Sequence, residues 1–247
     1  IYDKGYFLID GINYYSLSND TQKIEVCDFA FPKEQSLSLC IPQSPLFTYQ
    51  PTSIRNLSSD RYKDMTLNVQ VNKNLIDFYN TYPTSEVNGN FMTRWAMYAN
   101  TPMEQKVQKQ LYPILQEKIA DLNEHDAANK LLNWVQTAFV YEYDDKVWGH
   151  DRAFFAEETL FYPYCDCEDR AILFTRIVRD LLGLKSILIY YPGHLASAVC
   201  FNQQVTGDYI LLSGNKFVVC DPTYIGAPVG LTMPNMDNES ANVIILE

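Results

Sequence analysis

The stretch DCEDRAILFTRIVRDLLG, residues 166–183, constrains the fold more than any other because it marks both of its own ends. Asp166 is a residue type that caps a helix N-terminus, and Asp169 stands three positions on, in a box-like arrangement. Ala171, Phe174, Val178 and Leu181 recur on one face at helical spacing, and Gly183 supplies the stop. Beyond Gly183 the chain reads as sheet. SILIYY is a buried strand, HLASAVCF is a second strand after Pro192-Gly193, and YILLS with KFVVC is a hairpin turning at Gly214-Asn215. DPTYIGAPVG then leaves the sheet as a loop. A helix followed by antiparallel strands makes this half α+β.

Upstream, TPMEQKVQKQLYPILQEKI predicts a helix capped at Thr101, with Pro102 in its first turn. NEHDAANKLLNWVQTAFVYEY predicts a second helix, with Leu131, Leu132, Trp134, Val135 and Phe139 at core spacing. DDKVWGHDRAFFAEETL reads as a loop running into a short helix. Residues 1 to about 75 read as β: GYFLIDGINYYSL, QKIEVCDFAF, LSLCI and the alternating MTLNVQV are separated by turn clusters and prolines. The pattern over 76–100 favours neither element. The expected organisation is a β-rich N-terminal region over 1–100 and a second domain over 101–247.

The helix start places Cys167 at the first helical position. Backbone N–H groups there lack intrahelical partners, and the macrodipole adds roughly half a positive charge. A thiolate is favoured at such a place, and the same N–H groups suit an oxyanion. Asp166, Glu168 and Asp169 oppose this, so the helix end alone does not decide the sign; an imidazolium partner would. Of three histidines, His125 reads as a surface residue, His150 lies in a loop, and His194 opens a strand after Gly193. Asp221 ends another strand of the same sheet, before Pro222. A sulfur that attacks a carbonyl, an imidazole that carries its proton and a carboxylate that fixes the imidazole form a working set. Other readings of the Cys165–Cys167 pair fare worse. A metal clip completed by Cys200, Cys220 or His150 has no C-x-x-C repeat behind it, and a disulfide between neighbours at a helix start would be strained. Cys200 and Cys220 sit inside strands and read as core.

These segments, CDCEDRAILFTRIVRDLLGL, YPGHLASAV and FVVCDPTY, together resemble the transglutaminase-like superfamily. The resemblance covers roughly residues 102–235. It implies a papain-like core, a helical part packed on an antiparallel sheet, with a triad in the order Cys167, His194, Asp221. It implies acyl chemistry through an acyl-enzyme: hydrolysis of a protein or peptide amide, or transfer to an amine as in transglutaminases. A module that keeps the fold without turnover is the third possibility. In the family a tryptophan upstream of the cysteine helps hold the oxyanion; Trp148 is the candidate here and Tyr164 its rival. Cys165 stands where the family often has glycine, and Leu195 and Ala196 stand where an aromatic is common.

A formal charge of −11 argues against nucleic acid and anionic membranes as partners. No run approaches the length of a membrane span. Neither a cofactor nor a metal is expected, and no D-x-D-x-D-G calcium loop occurs. A chain beginning at Ile1 suggests a processed product, exported to a bacterial periplasm or cell surface after loss of a leader.

Overall fold

A computed structural model of the protein describes residues 2–9, 12–17, 46–81 and 90–246, the first two segments as backbone. β1 (Tyr2–Ile9) and β2 (Ile12–Leu17) pair antiparallel, with Phe7 opposite Tyr14. The expected strands QKIEVCDFAF and LSLCI lie outside the described residues. β3 (Arg55–Ser58) and β4 (Thr66–Val69) form another antiparallel pair. Here MTLNVQV behaves as its period predicts: Leu67 and Val69 are buried while Thr66 and Asn68 face out. The undecided stretch proves helical where described. α1 (Lys73–Thr81) buries Leu75, Ile76 and Tyr79, and α2 (Met92–Asn100) buries Trp95, Tyr98 and Ala99.

α3 (Gln105–Ile119) starts three residues later than a cap at Thr101 predicts, with Glu104 in the N-cap position. Thr101 instead closes α2: its N–H and its hydroxyl both donate to the Met97 carbonyl. Pro102 explains why α2 stops there, since a residue before proline is pushed to extended backbone, and Thr101 sits at φ −70°, ψ 120°. α4 (Glu124–Thr137) begins as expected, with the Asn123 side chain accepting the Asp126 N–H at 2.9 Å. Trp134 is fully buried and donates through its indole to the Leu57 carbonyl at 3.3 Å. The β3–β4 pair therefore shares the core of the helices.

Then come β5 (Val140–Tyr141), the single-turn α5 (Asp144–Val147), α6 (Ala156–Phe161), β6 (Tyr164–Cys165) and α7 (Cys167–Leu182). β5 and β6 run parallel, Tyr141 beside Cys165. α7 ends at Gly183, whose φ of 65° is the left-handed conformation glycine adopts without penalty. The main sheet comes next in the chain: β7 (Lys185–Tyr191), β8 (His194–Cys200), β9 (Tyr209–Leu212), β10 (Asn215–Cys220) and β11 (Asn242–Ile245), ordered β11-β7-β8-β10-β9 with every neighbouring pair antiparallel. The β9–β10 turn is Ser213-Gly214, one residue earlier than predicted. Both residues take positive φ, as a two-residue hairpin of this twist requires. β11, four residues after a long loop, had no pattern strong enough to declare it.

The chain is thus a mixed α/β fold with helices on an antiparallel sheet. Leu188, Leu195, Val199 and Val218 face the α7 side of that sheet, in one cluster with Ile172 and Phe174. Ile187, Ile189, Ala198 and Phe217 form a second cluster on the opposite side, beneath Met236 and Ala241. Burial on both faces is why SILIYY reads as an unbroken apolar run and not as an alternation. Among the described residues, no helix is long and apolar enough to cross a membrane.

One buried charge ties α6 to α3. Glu157 is almost wholly buried; its Oε1 accepts the Glu104 N–H at 2.5 Å and its Oε2 has no partner. Burial raises its carboxyl from 4.5 to about 7. The folded state therefore holds a proton that the unfolded chain releases at lower pH. The contribution is most favourable below pH 4.5, is lost as pH rises through about 7, and is constant above that. The whole change is on the order of 3 kcal/mol. Glu157→Gln is expected to flatten the pH dependence of the urea midpoint across this window and to exceed wild type in stability at pH 8. An unchanged slope would show that Glu157 does not set it.

Candidate active site

Cys167 opens α7 on a cap built from carboxylates. The Asp166 N–H donates to Asp169 Oδ2 at 3.2 Å, and Asp169 Oδ1 accepts the Phe154 N–H at 2.8 Å. Asp169 is fully buried, so the helix start is locked to the segment before α6. The Cys167 thiol donates to Glu168 Oε2 at 3.2 Å, and the Leu195 N–H lies near enough to favour the thiolate. Leu195 directly follows His194, so the opening of β8 lies against the mouth of α7. The balance at the sulfur runs against ionisation. Burial, then the Glu168 and Asp166 carboxylates, push the thiol well above its ordinary range, and the Leu195 N–H only partly offsets them.

The second half of the site lies on the sheet. The β7–β8 turn brings His194 opposite Tyr191, and the two rings stack at 6.2 Å and 15°. β8 and β10 are neighbours, with Ser197 opposite Cys220, which puts Asp221 just past the end of β10 and beside His194. His194 Nε2 and Asp221 Oδ2 are 2.8 Å apart, and both residues are buried. With a carboxylate accepting there, Nε2 is the donor to Asp221 and Nδ1 is the ring nitrogen on the other side. Nδ1 makes no hydrogen bond among the described residues. Asp221 Oδ1 accepts the N–H groups of Thr223 and Tyr224, at 2.8 and 3.2 Å, so the carboxylate is held from both sides.

The structure thus joins His194 and Asp221 directly, and Cys167 opens the helix that packs against the strand of His194. No hydrogen bond links the Cys167 sulfur to the His194 ring; the sulfur is turned toward Glu168. Trp148 closes α5, edge-on to Tyr162 at 4.9 Å and Phe154 at 5.8 Å, with the Arg152 guanidinium 4.3 Å over its ring. Tyr164 is 41% exposed on β6. No hydrogen bond joins either residue to Cys167 or His194 among the described residues.

Three positions were not singled out by sequence. Tyr141, half-buried on β5, lies in the field of the sulfur: burial first, then charge on Cys167 and Asp166, push its phenol up. Gln136 is buried near the end of α4. Its Nε2 donates to the carbonyls of Asp221, Tyr224 and Ala227 at 2.9–3.0 Å, and its Oε1 accepts the Gly226 N–H, so one side chain shapes the loop behind the acid. Arg170, one turn into α7, donates to the Gln136 and Phe139 carbonyls, both at 2.9 Å, and to the Cys165 sulfur at 3.4 Å. Polar residues inside otherwise apolar helical runs were the available signal for both. Of the other cysteines, Cys165 and Cys220 are buried and Cys200 half-buried; the four described cysteines are free.

Carboxylates crowd the flank of the helix start. Asp144 is pushed up to about 6, by burial first and by Glu168 and Asp151, against the Arg152 N–H that it accepts. Asp166 is raised by burial and then by Asp169 and Glu168.

No family model matches this chain, and no curated protein matches it. Among solved structures it is similar to one described as a "Putative Cysteine Protease" from Cytophaga hutchinsonii, with 13% identity over 78% of this chain and 71% of that one and a TM-score of 0.35.

Proposed function

We propose that the protein is a thiol-dependent amide hydrolase with a papain-like, transglutaminase-like core, in which Cys167, His194 and Asp221 act as a triad. The observation that carries the reading is the His194–Asp221 contact of 2.8 Å, with Nδ1 left free at the start of a strand that packs against α7. Rotation of the thiol from Glu168 toward Nδ1 completes the set. The imidazole then takes the thiol proton, sulfur bonds to the substrate carbonyl carbon, and the unpaired N–H groups of the first turn of α7 face the oxyanion. Imidazolium returns the proton to the leaving amine as the C–N bond breaks, leaving a thioester on Cys167. Water, deprotonated by the same imidazole, releases the acid; an amine in its place gives transfer. Protein or peptide substrates fit this chemistry.

A thiol-directed probe is expected to label Cys167 in the wild-type chain in preference to Cys165, Cys200 and Cys220, and Cys167→Ser is expected to abolish that labelling. Equal labelling of Cys167 and Cys200 would sink the reading. Incorporation of a labelled amine into a glutamine-containing protein, lost in Cys167→Ser, separates transfer from hydrolysis. The hydrogen bond from Cys167 to Glu168 favours a second reading, a binding module without turnover. That module predicts a sulfur no more reactive than any half-buried thiol.

A further inference from the structure

We propose that Gln136 is a positioning residue for Asp221: from α4 it fixes the loop that aims this carboxylate at His194. The inference rests on the triad reading, in which Asp221 is the carboxylate, but the geometry it claims can be measured without turnover. Gln136 is 1% exposed, and every hydrogen bond of its side-chain amide among the described residues goes to one short loop. Nε2 donates to the carbonyls of Asp221, Tyr224 and Ala227 at 3.0, 2.9 and 3.0 Å, and Oε1 accepts the Gly226 N–H at 3.2 Å. The loop is thus held at two centres. Its carbonyls converge on the Gln136 amide, while the N–H groups of Thr223 and Tyr224 converge on Asp221 Oδ1. Oδ2 is the oxygen left to His194, at 2.8 Å. Gly226 sits at φ 80°, which a side chain would strain, and the Ala227 N–H closes a turn on the Tyr224 carbonyl at 3.0 Å.

The loop demands an amide. It offers three carbonyl oxygens and one N–H to the same side chain, so the partner must donate at one atom and accept at the next. The two hydrogens on Nε2 serve three carbonyls, one of them shared. The reversed amide would set Oε1 against three carbonyl oxygens, so the side chain has a single allowed orientation. Glutamate has the same shape but would place an acceptor where the carbonyls converge. Methionine keeps the length and bonds nothing there. No hydrogen bond joins the Gln136 side chain to Cys167 or His194 among the described residues, so its influence on them passes through Asp221. The Gln136 backbone carbonyl accepts from Arg170, and that bond survives a change of side chain.

Two readouts test this. In the proton NMR spectrum of the wild-type chain, His194 Nε2–H is expected to give a low-field imidazole resonance, the mark of a donor to a buried carboxylate. Gln136→Met and Gln136→Glu are each expected to shift it upfield or lose it to exchange, with circular dichroism near native. The second readout is a double-mutant cycle with Asp221→Asn on the thiol labelling rate of Cys167. Gln136→Met is expected to slow labelling by about one to two orders of magnitude in the wild-type background, the scale of a misplaced group. In the Asp221→Asn background the further loss is expected to stay below about twofold. A side chain that only held the fold together would slow both backgrounds alike. Equal losses in the two backgrounds, a wild-type spectrum without the low-field resonance, or a resonance unmoved in both variants would overturn the proposal. Should Gln136→Met fail to fold, Gln136→Glu, which keeps the volume, decides by the same criteria. If Cys167 resists labelling in the wild-type chain, the triad reading falls, and the resonance alone decides whether Gln136 places Asp221.

Discussion

His194→Ala is expected to lower the rate of covalent probe capture at Cys167, and of any amide turnover, by about three orders of magnitude, the scale of a lost general base. The physical case is strong because nothing else near the sulfur favours its anion enough. Burial, Glu168 and Asp166 all hold the thiol protonated, and the Leu195 N–H only partly opposes them. A sulfur in that field needs a neighbouring cation, and the His194 ring, held by Asp221 through Nε2, is placed to become one. Asp221→Asn keeps the size of the group but removes its charge. It is expected to fall between wild type and His194→Ala, since it weakens the support of the imidazolium without deleting the ring. The measurement is the second-order labelling rate at fixed pH, with near-native circular dichroism as control. Labelling in His194→Ala within fivefold of wild type would mean that the sulfur works without the ring, and the triad would be wrong.

The second large effect is structural. Arg170 is 1% exposed and makes two hydrogen bonds to carbonyls at the end of α4, plus one to Cys165. The Gln136 carbonyl is one that a helix leaves unpaired at its C-terminus, and Phe139 lies just past the C-cap Ala138; the guanidinium donates to both. Arg170→Ala leaves them buried and unpaired and opens a cavity within the first turns of α7. A loss of about 3–5 kcal/mol is expected in urea unfolding. Arg170→Met, which refills much of the volume, is expected to lose less. A change below about 1 kcal/mol in Arg170→Ala would show that solvent or rearrangement replaces the guanidinium. The same substitution is expected to disturb the site, because Arg170 and Asp221 meet through one residue. The Gln136 backbone carbonyl accepts from Arg170, and the Gln136 side chain donates to the Asp221 carbonyl. The helix of the sulfur and the loop of the acid are thus tied to one point on α4.

The candidates His194 and Asp221 and the start and end of α7 were legible from residue types alone. An Asp at a cap and a Gly at φ 65° are local requirements, and local rules predict them. The strands of the main sheet were legible for a similar reason: burial on both faces writes an unbroken apolar run. Where a neighbour overrode the local signal, the expectation missed. Thr101 has every mark of an N-cap, but its N–H and hydroxyl are taken by the Met97 carbonyl of the preceding helix, and Glu104 takes the N-cap position of α3 instead. β11 is legible only through β7, which it covers at one edge of the sheet.

What the amino-acid order determined by itself was the identity of Cys167, His194 and Asp221 as candidates and the kind of elements that carry them. Whether His194 meets Asp221, that Gln136 and Arg170 brace them, and that the sulfur leans on Glu168 were decided in three dimensions. Those contacts join residues 27 to 85 positions apart, or depend on a side-chain rotation. Spacing along a chain carries no record of either, because packing of distant elements chooses which polar groups share a buried space.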